Sequence, residues 1–266
     1  MARTNRQWVL RQRPNGLIQP GDLELVEATL PDLKDAEILV RTIYLSLDPT
    51  NRTWMNEAEG YLPAVALGGV MPQAGETLVV SAAAGAVGSI AGQIAKARGA
   101  RVIGIAGGPD KCRWLTEDLG FDAAIDYKGE DVADALDRLA PDGFEMNFEN
   151  VGGDIMIAVY NRLKVHGRMA VCGLISSYNA TRASPSPNFS RIITHRLDIK
   201  GFLVLDYGHR AKEMVAEVGP MLADGRVKWK VHVDDGLEVA LDSLNRLFTG
   251  DHDGKLLVRV SEEPAA

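Results

Sequence analysis

Only two of the 266 residues are cysteine, Cys112 and Cys172. Two thiols cannot build a disulfide framework, so a cytoplasmic chain is the default expectation. The five histidines (His166, His195, His209, His232 and His252) are scattered, with no paired spacing. A zinc site needs three or four Cys, His or carboxylate ligands, and none is set out here, so no metal is expected. Basic residues are in deficit, 29 against 36 acidic ones, for a net charge of −7. That balance argues against nucleic acid and against an anionic membrane surface as partners. No apolar stretch approaches the length of a membrane span. The opening residues lack the apolar core of a secretory signal. What remains is an ordinary globular composition, 46% hydrophobic and 24% charged, long enough for one large domain or two smaller ones.

The informative stretch is Thr77 to Lys111. An apolar run, Thr77–Ala82, leads into a glycine turn at Gly85 and Gly88. A helical pattern follows, with Val87, Ile90, Ala91, Ile94 and Ala95 on one face; Gly99 stops it, and Arg101–Ala106 is a second apolar run. Strand, tight turn, helix and strand make half of a dinucleotide-binding fold. Glycines let the backbone approach a pyrophosphate at the helix N-terminus, where unpaired N–H groups and the helix dipole favour negative charge. The turn departs from G-x-G-x-x-G, because Ala83 occupies the first glycine position. Small-residue turns of this kind also occur for packing alone.

An NAD-binding chain places Asp or Glu after the second strand, roughly 20 residues past the turn, to hold the ribose 2′-OH. Here the position reads Gly107-Gly108-Pro109, with no acid. Asp110 is expected to cap the next helix, and Lys111 lies in its first turn. A missing carboxylate beside a lysine suits a 2′-phosphate, so NADP fits better than NAD; a solvated surface lysine is the alternative.

Residues 1–70 read as β-rich; Ile38–Leu45 alternates poorly but is rich in β-branched and aromatic residues, which suits a strand. From Thr77 the pattern alternates. Strands are expected at Thr77–Ala82, Arg101–Ala106, Ala123–Ile125, Glu145–Glu149, Gly167–Cys172 and Asp198–Val204. Helices fall between them, at Ser89–Arg98, Asp110–Leu119, Val132–Leu139, Asp154–Leu163 and Ser190–His195. Helix Arg210–Ala223, helix Leu237–Phe248 and strand Lys255–Val260 complete the chain. Such alternation implies α/β architecture, a doubly wound parallel sheet covered on both faces.

Ligands of such sheets bind beyond the carboxyl ends of the strands. Candidate residues there are the run Asn150 to Gly153, the run Gly173 to Asn179, and Leu205 to Tyr207; each also suits a turn or a helix cap. Tyr160 and Lys164 form the Y-x-x-x-K of short-chain dehydrogenases, but that family opens with its glycine turn near the N-terminus. Methyltransferases that use S-adenosylmethionine share the glycine turn but want the missing acid.

Taken together, the segments resemble the zinc-independent branch of the medium-chain dehydrogenase/reductases, in the prostaglandin reductase, alkenal/one reductase and curcumin reductase group. The matching pieces are Leu45–Pro49, Asn51-Arg52, Trp54-Met55, Tyr61–Pro63, Ala82–Gly88, Ala106–Cys112, Ile125–Lys128, Glu149–Gly153, Cys172–Asn179, Gly201-Phe202 and Gly254-Lys255. The scattered histidines argue against the zinc-dependent alcohol dehydrogenases. The resemblance implies NADPH-dependent reduction of the C=C bond of α,β-unsaturated ketones and aldehydes, with hydride delivered to the β-carbon.

Carried over, Gly85, Ala86, Val87 and Gly88 touch the pyrophosphate, and Lys111 and Tyr127 the 2′-phosphate. Asn150, the loop of Cys172, Gly173, Leu174, Ile175, Ser176, Ser177 and Tyr178, and Phe202, Leu203 and Val204 line ribose and nicotinamide. His252 stands where the family has an asparagine in contact with the cofactor. The resemblance implies that the enolate takes its proton from solvent or a tyrosine; many members have a tyrosine where Thr50 stands, and Tyr207 is the candidate here because it follows the strand nearest the nicotinamide.

Family members also continue after Met71 with several dozen more residues of a GroES-like barrel, whereas this chain passes directly to Pro72. The expected organisation is a dinucleotide-binding domain, 76–224, and a shortened GroES-like domain, 1–75 with 225–266. A homodimer is the assembly allowed for. The competing expectation is an NADP(H)-binding protein with little or no turnover, its substrate wall lost with the barrel. The cofactor preference can be tested on one residue. A hydrogen bond to a charged group contributes about 1.5–3 kcal/mol, so Lys111→Ala is expected to weaken NADPH binding roughly 10- to 150-fold and barely change NADH. Fluorescence titration of both cofactors checks this, and equal losses would reject it.

Overall fold

The computed structural model describes residues 4–31, 38–53, 55, 74–182 and 184–263. Trp54, Tyr61–Pro63 and the join of Met71 to Pro72 lie outside them. In chain order the elements begin with β1 (Thr4–Leu10), β2 (Leu23–Thr29), β3 (Tyr44–Ser46), α1 (Thr50–Thr53), β4 (Thr77–Val80) and α2 (Ala86–Ala97). Next come β5 (Arg101–Ala106), α3 (Pro109–Arg113), β6 (Ala123–Asp126), α4 (Val132–Leu139), β7 (Phe144–Glu149) and α5 (Gly153–Tyr160). Then follow β8 (Leu163–Val171), α6 (Ile175–Tyr178), α7 (Ser190–His195), β9 (Asp198–Gly201) and α8 (Ala211–Ala223). The last are β10 (Val231–Asp235), α9 (Ala240–Thr249) and β11 (Lys255–Arg259).

Two compact units result. One comprises Met1–Tyr61, Val231–His252 and Leu256–Ala266; the other comprises Leu62–Lys230 and Asp253–Lys255. The first is β-rich. β1 and β2 pair antiparallel, and a second sheet runs β10-β11-β3. Its core joins Ile18, Leu47, Leu256 and Val258 to Ala240, Leu244 and Leu247 of α9. The buried Arg52 guanidinium donates to the carbonyls of Pro14 (2.9 Å) and Gly16 (2.8 Å), which fixes the chain on either side of Asn15. The expected strand Ile38–Leu45 is mostly absent. Only Tyr44–Ser46 is paired, and Ile38 is 82% exposed. A β-prone composition without a partner strand does not make a strand.

The second unit is a six-stranded sheet, β6-β5-β4-β7-β8-β9, parallel throughout. Side chains alternate across it with period two. Leu78, Val80, Val102 and Met146 pack with Ala95, Leu115 and Phe121 on one face. Val79, Ile103, Ile105, Ile125 and Phe144 pack with Leu136, Val159 and Tyr160 on the other. Both faces are covered, which is why β4 and β5 read as unbroken apolar runs. This is the Rossmann arrangement expected from the alternation, accompanied by a smaller β-rich unit.

Three expectations change in detail. The face of α2 that is buried is Gly88, Ser89, Gly92, Gln93 and Ala95, while Val87 is 52% exposed. The helix lies so close to the sheet that small residues, not large apolar ones, fit beneath it. A Cβ on Gly92 would stand 2.0 Å from Phe121 Cζ. Gln93 is tolerated there because it is satisfied: Nε2 donates to the carbonyls of Ser89 (3.0 Å) and Lys228 (2.8 Å), and Oε1 accepts Lys228 N–H at 2.7 Å. The second helix is capped by Gly108, not Asp110; Pro109 takes its first position, and the helix passes into a π-turn over Trp114–Asp118. The last strand of the sheet stops at Gly201, and Val204–Arg210 coils as a 3-10 helix instead of extending β9.

Gly92→Ala tests the close packing. Overpacking costs about 1–3 kcal/mol, and the better helix propensity of alanine offsets about 1 kcal/mol of that. The net is about 0–2 kcal/mol; the 2.0 Å approach to a core ring places the expectation at the upper end, read as a lowered urea midpoint. An unchanged midpoint would show that Phe121 moves aside freely.

Candidate cofactor site

The sheet order reverses between β4 and β7, where helices leave on opposite faces and a crevice opens beyond the strand ends. The turn after β4 begins this site. Ala83 N–H donates to Ile105 O (2.9 Å) and Gly85 N–H to Ala82 O (3.0 Å). The left-handed residue of the turn is Ala82, at φ +48°, an uncommon conformation for a residue with a Cβ. Gly85 is extended and serves as the N-cap of α2 without a side-chain cap. A Cβ on Gly85 would lie 3.2 Å from Ala82 O, and one on Gly88 would lie 2.5 Å from it. The glycines therefore bring helix and strand together, and the first amides of α2, at Ala86, Val87 and Gly88, have no intrahelical acceptor. Gly254 forms a parallel bridge with Gly85 and has no room for a side chain, since a Cβ would stand 2.1 Å from Lys230 O.

At the end of β5, Gly107 and Gly108 make a second concavity. A Cβ on Gly107 would meet the Tyr127 ring and hydroxyl at 2.9 Å and Lys128 Cε at 3.0 Å. Asp126 Oδ1 shapes this corner by accepting the N–H groups of Gly108 (2.7 Å) and Lys128 (3.0 Å). Lys111 is half-buried in the first turn of α3. So Tyr127, Lys128 and Gly107 are brought together where the acid of an NAD site is missing.

The loops after β7 and β8 are tied to each other and to the turn. Asn150 donates twice to Ser81: N–H to Oγ at 2.8 Å and Nδ2 to the carbonyl at 2.7 Å. Cys172 and Gly173 N–H groups donate to Glu149 O, Ile175 N–H to Asn150 O, and Ser176 N–H to Val151 O. Leu174 N–H donates to Tyr178 Oη at 3.2 Å, and Ser177 Oγ donates to Leu174 O at 2.7 Å. Gly152 and Gly153 turn the chain at φ +79° and +57°, each leaving room for Ser176 Oγ. Next to Tyr178, both amide atoms of Asn179 are buried without a hydrogen-bond partner.

Phe202 follows β9 and meets Phe148 of β7 at 6.0 Å between ring centroids; Tyr207 stands edge-on to Phe202 at 6.1 Å. That contact links Tyr207 to the end of the sheet. Leu203 is half-buried and Val204 is exposed. His252 belongs to the β-rich unit, where Nδ1 lies 3.3 Å from Arg246 O. Tyr160 and Lys164 point to other work. The Tyr160 hydroxyl donates to Asn188 O (3.0 Å), and Lys164 pairs with Glu145 (2.6 Å).

Sequence reasoning passed over Lys128 and Glu149. Lys128 could have been found as the neighbour of Tyr127; Asn179 stood at the end of the candidate run, but nothing local marks its burial, which depends on the folded loop. Neither thiol is set up as a nucleophile. Burial, with Asp126 and Glu130, pushes Cys112 up to about 11, and burial pushes Cys172 up as well. Among the described residues no three His, Cys, Asp or Glu stand together as metal ligands, and no helix is long and apolar enough to cross a membrane.

The family described as "N-terminal domain of oxidoreductase" matches residues 6–90, and "Zinc-binding dehydrogenase" matches 86–220. The chain is 33% identical to the NADPH-dependent curcumin reductase of Escherichia coli, over 97% of each protein. It is 45% identical to the 2-alkenal reductase (NADP(+)-dependent) of Nicotiana tabacum, over 72% of this chain and 56% of that one. The crystal structure of CurA from Vibrio vulnificus in complex with NADPH superposes with a TM-score of 0.90 at 32% identity, covering 97% of this chain and all of that one. The alignment with the Escherichia coli protein spans 335 positions, so at least 69 of them face no residue of this 266-residue chain. The chain is thus a shortened member of the zinc-independent medium-chain dehydrogenase/reductases, the oxidoreductases that include the curcumin, prostaglandin and alkenal reductases.

Proposed function

We propose that this protein is an NADPH-dependent reductase of the C=C bond of α,β-unsaturated ketones and aldehydes. The observation that carries the reading is the corner at Gly107, where an NAD-type acid is replaced by Tyr127 and Lys128 against a glycine that leaves them room. Tyrosine and lysine give a 2′-phosphate a hydroxyl donor and a cation, and Lys111 joins them. The residues at hand fit the rest of the cofactor. The amides of Ala86, Val87 and Gly88, opened by Gly85, suit a pyrophosphate. Asn150 spends Nδ2 on Ser81, so Oδ1 is the atom turned to a ribose hydroxyl.

When bound, NADPH supplies the hydride that goes to the β-carbon of the substrate. This chain's part is to orient the reactants, exclude water and deliver a proton to the α-carbon. Tyr207 is the donor we propose, its ring set by Phe202 and Phe148. Residues 76–224 form the cofactor domain, and 1–75 with 225–266 the shortened GroES-like domain. His252 stands in for the family's asparagine. A homodimer and a cytoplasmic location complete the reading. The dimer is motivated by β9, which ends the sheet with an unpaired edge among the described residues.

The shortening favours one other reading, an NADP(H)-binding protein with little turnover. Opening the substrate side admits water and weakens electrostatic stabilisation of an enolate. Steady-state assays with NADPH and a panel of small enones, with and without a chelator, separate the two. The proposal expects the saturated ketone as product, at a rate the chelator does not change. NADPH binding without turnover favours the second reading, provided a chain with a family-like segment inserted between Met71 and Pro72 is active. An allylic alcohol would reject both. Tyr207→Phe keeps the ring contact and removes the proton; general acids contribute roughly 10²–10⁴-fold, so kcat is expected to fall within that range while the NADPH Kd holds. An unchanged kcat would move the donor to solvent.

A further inference from the structure

Glu149 closes β7 and is 0% exposed. Its carboxyl Oε1 accepts the N–H groups of Val151 and Gly152, both at 2.8 Å. Its Oε2 has no hydrogen-bond partner in good geometry, although the Ser81 hydroxyl and the Asn147 amide lie close enough to favour the ionised form. Oδ1 of Asn147, which is also 0% exposed, has no partner either. The two residues are two apart on one strand and so share a face. The Asn147 amide cannot turn over to relieve this, because Nδ2 donates to Val79 O at 3.1 Å and the turned amide would oppose two oxygens. An ionised carboxylate only accepts, so the two stranded oxygens cannot serve each other; a protonated one carries an O–H.

We propose that Glu149 is a neutral carboxylic acid in the folded protein, donating from Oε2 to Asn147 Oδ1 while Oε1 holds the Val151 and Gly152 amides. One proton then satisfies both oxygens. Burial, the largest influence, pushes this carboxyl above the usual carboxylate range, against the opposing pull of the Gly152 and Val151 amides and of Ser81 and Asn147; none of these groups is charged. The main-chain carbonyl of the same residue holds Cys172 and Gly173. Glu149 is therefore a positioning residue for both loops. Under the cofactor reading it also keeps a negative charge away from a polyanionic ligand, but the proton itself rests only on the burial and the hydrogen bonds.

Glu149→Gln is the isostere of the neutral acid, with Nε2 in place of the O–H. The sign of the expected effect is fixed. A carboxyl whose folded value is raised stabilises the fold fully below its unfolded value, and that contribution is lost as pH rises through the folded value. Denaturant titrations of both full-length proteins from about pH 5 to about pH 9 should show the wild-type folding constant falling relative to the variant's. The fall is up to about tenfold per pH unit until the folded value is passed. A ratio that stays flat, or moves the other way, overturns the proposal. If the variant does not fold, the wild type decides alone. Glutamate labelled with ¹³C should show a label-shifted carbonyl stretch of a neutral acid at about pH 7, where exposed glutamates are ionised. Carboxylate bands alone would overturn it.

Discussion

Two hydrogen bonds from Asn150 to Ser81 join the ends of the central strands, and the rest of the candidate site hangs from that join. β4 and β7 are paired in parallel, and Ser81 N–H donates to Phe148 O (3.1 Å) at the end of their ladder. Beyond it the main-chain N–H and the side-chain amide of Asn150 carry the pairing into the loops. The loop after β8 is then carried by the carbonyls of Glu149, Asn150 and Val151. Three loops far apart in sequence become one surface, and the donors and acceptors that remain unused on it are those a ligand would meet.

Small residues set the other constraint. Gly88 and Gly92 in α2 and Gly104 in β5 each stand where a Cβ would come within 3 Å of a neighbour. The neighbours they meet are Ala82, Ala83, Leu115 and Phe121. Proximity of the helix to the strand ends, and hence of its free amides to the crevice, is the result.

Much of this was legible in the residues. Thr77–Val80 and Arg101–Ala106 are buried on both faces and are therefore unbroken in hydrophobicity; Gly99, at φ +86°, ends α2 where a helix needs a left-handed residue. The absent acid at Gly107-Gly108 was visible because the rule concerns one position. What was hidden depends on distant partners. Reading α2 by apolarity put Val87 inward, whereas Gln93 is the buried residue, and its partner Lys228 is 135 positions away. Phe202–Val204 has the composition of a strand, but with no neighbouring strand beyond β9 among the described residues it turns away to bring Tyr207 against Phe202. Asp110 looked like a cap because the glycine that does the capping was read only as part of the missing-acid corner.

The bridge between Gly85 and Gly254 has a consequence for how the chain is made. The sheet can assemble as soon as its strands have left the ribosome, since each pairs with segments already synthesised. The glycine turn is different: one of its walls is contributed 169 residues later. Closing so long a loop has an entropic cost that grows only slowly with length, so the delay is one of synthesis and not of thermodynamics. A nascent chain can thus hold a nearly finished sheet while the glycine turn still lacks its bridging partner, which arrives with the segment around residue 254.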